Sequence, residues 1–436
     1  MKIICKFRLL LIFFVVLLVH VESKTVTSGD SRWFIPTAIS IINHRDIDLN
    51  EYADRIRSDS YYGIQRLSGN YYNIFPVGTS ILSLPIVWLI DVALDRIVGI
   101  SFEEHLKSNR SENTERFIAS IFVAIATVFI FLIAENTISS KFTPYLIAFI
   151  FAFATSAWST ASRALWQHGP SMMLLSASLY FLLKARNNPV NLLWPAPLLA
   201  AAYIVRPTNS LSFALLMGIT FLRFRSNRFF WYSVLLAFLV FGCFVALNLS
   251  VYGVVLPPYY QSSRLSFGPT FAEALMGNII SPSRGLFIFT PVFLFSFYGI
   301  ILKLKSQSFE ILDAALISII LLHWIVISSF PHWWGGYSIG PRFFTDMVPF
   351  FVYFLIPVVD RGICLGGLRQ IMMIIMFAGS LAISFYAHHR SANSWRVPAW
   401  NQVPNCVDQN PSRVWDWSDI QFLRRRSNEL LQEETQ

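Results

Sequence analysis

Long apolar runs separated by short polar segments dominate the pattern along this chain. A helix needs about 20 residues to cross the roughly 30 Å of hydrocarbon in a bilayer. Runs of approximately this length lie at 117–136, 144–160, 169–184, 191–205, 208–222, 229–250, 285–302, 310–330, 344–359 and 370–387. Together with an apolar N-terminal stretch, they predict an all-α, polytopic bundle of about eleven membrane-spanning helices.

The N-terminal stretch fits two interpretations. Lys2, Lys6 and Arg8 precede an apolar core at 9–21, as they would in a signal peptide or in a short first span. Because no small-x-small cleavage motif follows cleanly, we expect an uncleaved anchor, with a cleaved signal peptide as the alternative.

Basic residues mark alternate short loops and so predict the orientation. They are Lys184, Arg186, Arg223, Arg225, Arg228, Lys303, Lys305, Arg361 and Arg369. Short loops rich in Lys and Arg stay on the cytoplasmic side. The other loops, which include 251–284 and 331–343, then face outward. The chain thus divides into a transmembrane module at 1–387, with a large first outer loop at 22–116, and an extracytoplasmic tail at 388–436.

The segment 75–100 is long enough to span, but a full crossing would invert every later loop. Pro85 and the charged residues Asp91 and Asp95 favour a helix that lies in the interface or dips partway into it. Whether this segment spans stays open. A second surface helix is predicted near 31–43.

The composition agrees with a membrane protein and argues against a nucleic-acid partner. Hydrophobic residues make up 55% of the chain and charged residues 14%, against about 25% charged in soluble proteins. The net charge of +9 comes mostly from the loop clusters that set the orientation. The four cysteines have no paired spacing, so we predict neither a disulfide nor a cysteine metal site; they are Cys5, Cys243, Cys364 and Cys406.

The ionisable residues lie mainly at the predicted outer ends of the helices. They are Asp30, Arg163, His168, Arg206, Arg264, Arg284, His332 and Arg342. A transporter would concentrate such groups near the membrane midplane. Several cations facing one acid suit an anionic, lipid-linked substrate, because the planar guanidinium binds phosphate with two parallel hydrogen bonds.

Seven stretches in order resemble the GT-C superfamily of polytopic glycosyltransferases, which use polyprenyl-phosphate sugars as donors. The stretches are "SGDSRWFIPTAISIINHRDIDL", "GNYYNIFPVGTSILSLP", "FATSAWSTASRALWQHGPSMMLLSASLYFLL", "YIVRPTN", "IISPSRGLFIFTPVFL", "WWGGYSIGPRFFTDMVPF" and "VWDWSDIQFLR". The type resembled is that of the dolichyl-phosphate-mannose protein mannosyltransferases and the aminoarabinose transferases. The resemblance implies a first outer loop that holds the catalytic acid and surface helices.

By this resemblance Asp30, the first acid after the first apolar stretch, is the catalytic general base. Arginines would stabilise the leaving phosphate, with Arg342 as the first choice because "GGYSIGPRF" places it in a glycine-permitted turn. The further substrate-binding candidates are Arg206, Arg284, Arg163, His168, His332 and Tyr72. Inversion at the anomeric carbon would follow from a single displacement. No metal and no cofactor is expected.

Two departures from the family pattern bear on these roles. Many relatives have a lysine before the proline where this chain reads Asn73 and Ile74, so the phosphate must rely on arginines. No second acid adjoins Asp30, and Asp46 and Asp48, although spaced as D-x-D, are interpreted as solvated turn residues.

Alternative interpretations remain for the residues and for the protein. Asp30 could cap a helix starting near Ser31, and Arg342 could anchor the chain at the membrane interface. A transporter or flippase of lipid-linked sugars, or a surface-polysaccharide polymerase or ligase, would share many features. The sequence leaves open the sugar and whether the acceptor is a lipid, a polysaccharide or a protein. The predicted location is a multi-pass cell membrane, preferably a bacterial inner membrane, with an extracytoplasmic active site.

Overall fold

The computed structural model describes residues 2–27, 29–58, 62–361 and 367–424. Cys364 and residues 425–436 of the predicted tail lie outside the described residues, as do the side chains of Cys5 and Arg361.

The described chain is mostly helical. Its α-helices are α1 (Lys2–Glu22), α2 (Phe34–Asn43), α3 (Ala53–Ser58), α4 (Gly78–Val98), α5 (Phe102–Ser108), α6 (Glu112–Thr137), α7 (Thr143–Phe153), α8 (His168–Lys184), α9 (Pro195–Val205), α10 (Ser210–Phe224), α11 (Arg228–Tyr252), α12 (Phe271–Ile280), α13 (Leu286–Phe289), α14 (Leu294–Lys305), α15 (Ile311–Ser328), α16 (Val348–Arg361), α17 (Gly367–Asn393) and α18 (Arg396–Ala399). The strands β1 (Ile64–Leu67) and β2 (Asn70–Asn73) form one antiparallel hairpin. The all-α prediction is confirmed.

Five helical segments among the described residues are long and apolar enough to cross a membrane. They are Glu112–Thr137, Arg228–Tyr252, Ile311–Ser328, Arg342–Asp360 and Gly367–Asn393. Each coincides with a predicted span, and together they indicate a membrane-embedded protein. The count of eleven spans stays a prediction, because the other predicted spans, apart from α1, are shorter or interrupted helices.

The interruptions have local causes. The predicted span 285–302 consists of α13, a 3-10 turn at Pro291–Phe293 and α14. Thr290, with φ −132° and ψ 60°, has left the helical conformation, as expected for a residue that precedes a proline. The predicted span 144–160 is α7 followed by a π-helical turn at Ala157–Ala161, a local widening often seen at functional sites.

The N-terminal helix α1 is packed into the bundle. Val16 and Leu17 are buried against Ala124 of α6 and Ala152 of α7. Both ring nitrogens of His20 are engaged, since Nδ1 lies 2.8 Å from the Ser162 hydroxyl and Nε2 lies 3.0 Å from the Ala152 carbonyl oxygen. These contacts hold α1 against α6, α7 and the segment that carries Ser162. That α1 is an uncleaved anchor stays a prediction.

The first loop folds into a small unit whose core is shared with the bundle, since Phe122 of α6 and Leu165 belong to it. Trp33 and Phe34 are buried together with Tyr52 and Leu106, which come from further along the loop. Helices α2 and α4 lie where surface helices were predicted. Helix α4 ends at Gly99 in the left-handed conformation, a common helix terminus, and it is not one of the five membrane-length segments.

The basic loop residues gather at one end of the bundle. Arg186 and Arg223 both pair with Glu310, at 2.7 and 3.2 Å, and Lys184 donates to Asn136 at the end of α6. Helix α8, which ends at Lys184, begins at His168 about 25 Å away along its axis. His168 belongs to the opposite end, where the candidate site lies.

Candidate functional site

Asp30 and Arg342 meet at this second end of the bundle. The Nη2 atom of Arg342 donates to Oδ2 of Asp30, and the hydroxyl of Tyr62 donates to Oδ1 at 2.6 Å. The guanidinium also lies over the Trp166 ring, 4.0 Å from its centroid. The Asp30 side chain is 25% exposed and that of Arg342 is 15% exposed, so the pair remains within reach of a ligand.

Asp30 is held by these side chains and not by a helix end. Helix α2 begins at Phe34, its N-cap residue is Trp33, and no side chain caps it. The alternative in which Asp30 caps a helix starting near Ser31 is therefore wrong. Trp33 is fully buried and donates from Nε1 to the Tyr62 carbonyl at 2.9 Å, which holds the segment that carries Tyr62 next to the turn that carries Asp30.

Arg342 lies in the glycine-rich turn that its sequence predicted. Gly335, Gly336 and Gly340 all have positive φ, a conformation that costs other residues free energy. At Gly340 a Cβ atom would lie 2.7 Å from the Phe289 ring. Glycine thus lets the backbone pass close to Phe289 and bring Arg342 to the start of the 3-10 helix Arg342–Met347.

The electrostatics of Asp30 favour its ionised form. Burial by itself would raise the pKa of the Asp30 carboxyl, but the charge of Arg342 and the hydrogen bonds from Tyr62 and Arg342 outweigh it. The pKa of Asp30 therefore lies below its ordinary value of 3.8. The same carboxylate, together with burial, raises the pKa of the Tyr62 hydroxyl, so that Tyr62 stays a hydrogen-bond donor.

A second charged cluster lies near this pair. Arg206 follows α9, and its Nε lies 2.7 Å from Oδ2 of Asp346, while Nδ1 of His168 lies 3.3 Å from the same oxygen. All three side chains are at least nine-tenths buried. Arg206 and Arg342 share a neighbour, since their guanidinium carbons lie 6.0 and 5.9 Å from the centroid of the Phe343 ring.

Two predicted phosphate ligands have their donors engaged elsewhere. The Nε, Nη1 and Nη2 atoms of Arg163 donate to the carbonyls of Trp158, Ser23 and His20. Arg284 donates to the carbonyls of Ser283, Trp334 and Gly336 and to the side chains of Asn401 and Gln421. Both are almost fully buried. Arg163 thereby holds the end of α1 in place. Arg284 links the C-terminal tail to the turn that carries Arg342.

Within the part of the chain that the structure describes, neither His332 nor Tyr72 contacts the Asp30–Arg342 pair. His332 is exposed, with its ring 5.1 Å from that of Trp334. Tyr72 lies in β2, and its ring is 6.2 Å from that of Tyr252. The structure brings together Asp30, Arg342, Arg206 and His168 from the predicted set.

Sequence reasoning missed Tyr62 and Asp346. Tyr62 lies in a polar loop before β1, where nothing in the pattern distinguishes it. Asp346 carried a usable signal, because an acid within a membrane-length apolar segment indicates a functional or paired group.

A separate group of acids lies in the first loop. One carboxylate oxygen from each of Asp46, Asp48 and Glu51 falls within 4.8 Å of the others. Glu51 also lies 3.5 Å from Nε2 of His44. Burial and the neighbouring carboxylate of Asp48 raise the pKa of Asp46, as expected for like charges in proximity.

Fold and site together define a membrane-embedded α-helical protein with a carboxylate–guanidinium pair at one end of its bundle. No family model, curated protein or solved structure matches this chain. A finer assignment therefore rests on the chemistry of the site and on the sequence resemblance.

Proposed function

We propose that this chain is a membrane glycosyltransferase that moves a sugar from a polyprenyl-phosphate carrier to an acceptor hydroxyl. The observation that carries the proposal is the pairing of the Asp30 carboxylate with the Arg342 guanidinium. An ionised acid is what a hydroxyl nucleophile needs as its base, and an arginine is what a departing phosphate needs as its counterion.

The proposed reaction couples the two charges. The acceptor oxygen attacks the anomeric carbon, the bond from that carbon to the phosphate oxygen breaks, and the acceptor proton passes to Asp30. The phosphodiester monoanion thereby becomes a phosphate monoester with one more negative charge. Because Asp30 loses its charge in the same step, Arg342 is released from it and becomes available to the phosphate.

Arg206 is the second cation of the proposed site. Its guanidinium carbon lies 6.0 Å from the centroid of the Phe343 ring, which Arg342 also approaches, and its Nε already pairs with Asp346. Arginine pairs suit phosphate because each guanidinium offers parallel donors. Lipid, polysaccharide and protein acceptors all fit a base that requires only a hydroxyl group.

We further propose a GT-C-type architecture of about eleven spans in a bacterial inner membrane, with the active site on the extracytoplasmic face. The support is the distribution of charge. The basic loop residues Lys184, Arg186 and Arg223 lie at the end of the bundle opposite Asp30, and such loops remain cytoplasmic.

The test uses the purified full-length chain in liposomes with radiolabelled sugar donors. Polyprenyl-phosphate sugars should label an acceptor fraction extracted from cell envelopes, whereas nucleotide sugars should not. Movement of the intact lipid-linked sugar across the bilayer without covalent transfer would instead establish the flippase alternative. Absence of transfer from every lipid-linked sugar tested would contradict the proposal.

A further inference from the structure

We propose that Asp346 is a positioning residue that holds Arg206 beside Arg342, so that the two guanidinium groups act as one phosphate-binding pair. This inference rests on the proposed function, whose donor and leaving group both carry phosphate. It assigns a role in substrate binding to a buried acid that was not among the residues predicted from the sequence.

A single 3-10 helix contains both Arg342 and the acid that pairs with Arg206. Arg342 opens the 3-10 helix Arg342–Met347, and Asp346 lies within the same helix. Two further contacts hold this helix in place. Nε2 of His323 lies 2.8 Å from the Phe343 carbonyl oxygen, and the Thr345 hydroxyl donates to the Ser156 hydroxyl at 3.0 Å. The position of Asp346, and hence of Arg206, is therefore coupled to that of Arg342.

The contacts of Arg206 leave one corner of its guanidinium available. Nε lies 2.7 Å from Asp346 and 3.0 Å from the Thr208 hydroxyl, and Nη1 lies 3.2 Å from both ring nitrogens of His168. Within the described residues, Nη2 makes no hydrogen bond and keeps contact with solvent, although the residue is only 7% exposed. A phosphate oxygen can therefore reach this donor and form a charge-assisted hydrogen bond with it.

The acid determines where this donor points. Asp346 is fully buried, so its carboxylate cannot be satisfied by water and must pair with Arg206 and His168. Replacing the carboxylate by an amide would leave the Arg206 guanidinium buried without a counter-charge. The side chain would then leave its place next to Phe343, and the Nη2 donor would leave with it.

The experiment measures binding of farnesyl phosphate and of farnesol to the full-length chain in detergent micelles. Asp346→Asn should weaken farnesyl phosphate binding about tenfold or more, because one charge-assisted hydrogen bond is lost, and should leave farnesol binding unchanged. Asp313→Asn is the matched control. Asp313 is an equally buried acid that pairs with Lys303 at 2.6 Å at the basic end of the bundle, and its replacement should leave farnesyl phosphate affinity unchanged.

A double variant separates positioning from folding. Asp346→Asn combined with Arg206→Gln removes both buried charges, so thermal stability should recover relative to Asp346→Asn alone. Farnesyl phosphate affinity should stay as low as in Arg206→Gln alone. The proposal is overturned if affinity recovers with stability, if Asp346→Asn binds farnesyl phosphate like the wild type, or if Asp313→Asn weakens binding equally.

The binding experiment tests the positioning role of Asp346 without a measurement of sugar transfer. A chain that binds farnesyl phosphate through Arg206 and Arg342 but transfers no sugar would contradict the proposed function. It would still support the two arginines as a phosphate-binding pair. A chain that transfers sugar with Asp346→Asn as well as the wild type does would contradict only the positioning role.

Discussion

The carboxylate of Asp30 is paired with the guanidinium of Arg342 although 312 residues separate them in the chain. Asp30 comes from the turn before α2, and Arg342 comes from the glycine-rich turn before α16. Each is the other's counter-charge in this structure. Under the proposed function, substrate phosphate would compete with Asp30 for this guanidinium, and the pairing leads to the predictions on pH and on Tyr62.

Removing Arg342 should shift the pH dependence of transfer. In the wild type the pKa of Asp30 lies below its ordinary value, so the base is ionised throughout the mildly acidic and neutral range. Arg342→Gln removes the charge that chiefly lowers this pKa, and burial then raises it. As the pH falls, the residual activity should be lost at higher pH than in the wild type, as pH–rate profiles will show.

The control for that experiment is Arg264→Gln, since Arg264 is an exposed arginine that lies over the Tyr259 ring. Its profile should match the wild type. An acidic limb in Arg342→Gln that stays in place or moves to lower pH would contradict the assignment of Asp30 as the base.

Tyr62→Phe should reduce kcat/KM for transfer about three- to tenfold. The change removes the hydrogen bond to Oδ1 of Asp30, which contributes about 0.5–1.5 kcal/mol, and leaves the ring in place. Tyr62 is 51% exposed, so the melting temperature should hardly change. Tyr232→Phe, at a similarly exposed tyrosine, should leave kcat/KM as it is. Equal effects of the two changes on kcat/KM would contradict the assignment of Tyr62 to the site.

Arg284→Ala should destabilise the protein without changing phosphate affinity. The side chain is buried and donates to five acceptors, of which two lie in the turn, two in the tail and one at the adjacent Ser283. Its loss leaves those acceptors unsatisfied and should cost about 3 kcal/mol or more. Thermal unfolding should show this loss, while farnesyl phosphate affinity per folded molecule should equal that of the wild type. Reduced affinity with normal stability would restore Arg284 as a phosphate ligand.

Gly340→Ala should destabilise the turn that carries Arg342. The added Cβ would meet the Phe289 ring at 2.7 Å, at a residue with φ +55°, and we expect a cost of about 1–3 kcal/mol in the free energy of unfolding. Gly379→Ala is the control, because nothing lies within 4 Å of its added Cβ. A stability of Gly340→Ala equal to that of Gly379→Ala would show that the turn does not need glycine.

The helices were predictable because bilayer thickness sets a length that apolar runs reveal directly. The glycine-rich turn before Arg342 was predictable because glycine marks positive φ. The pairing between residues far apart in the chain was not predictable. Arg284 and Arg342 both follow small residues at predicted outer helix ends, and only the tertiary structure shows that Arg284 faces carbonyl groups while Arg342 faces Asp30.

Asp346 is a residue whose own importance could be predicted from the sequence but whose partner could not. Its buried position within an apolar segment was readable, but its partner Arg206 lies in another helix connection, 140 residues earlier in the numbering. Polar contacts between helices depend on packing angles and on which side chains share a layer. A single sequence contains that information only indirectly.

The central claim is tested most directly by transfer from a radiolabelled polyprenyl-phosphate sugar to acceptor by Asp30→Asn, with Asp54→Asn as the control at a fully exposed acid of the same loop. Asp30→Asn should fold, insert and bind farnesyl phosphate, yet transfer sugar at least a hundredfold more slowly, because a general base contributes about 10²–10⁴ in rate. Asp54→Asn should transfer at the wild-type rate. Full transfer by Asp30→Asn would contradict the assignment of Asp30 as the catalytic base.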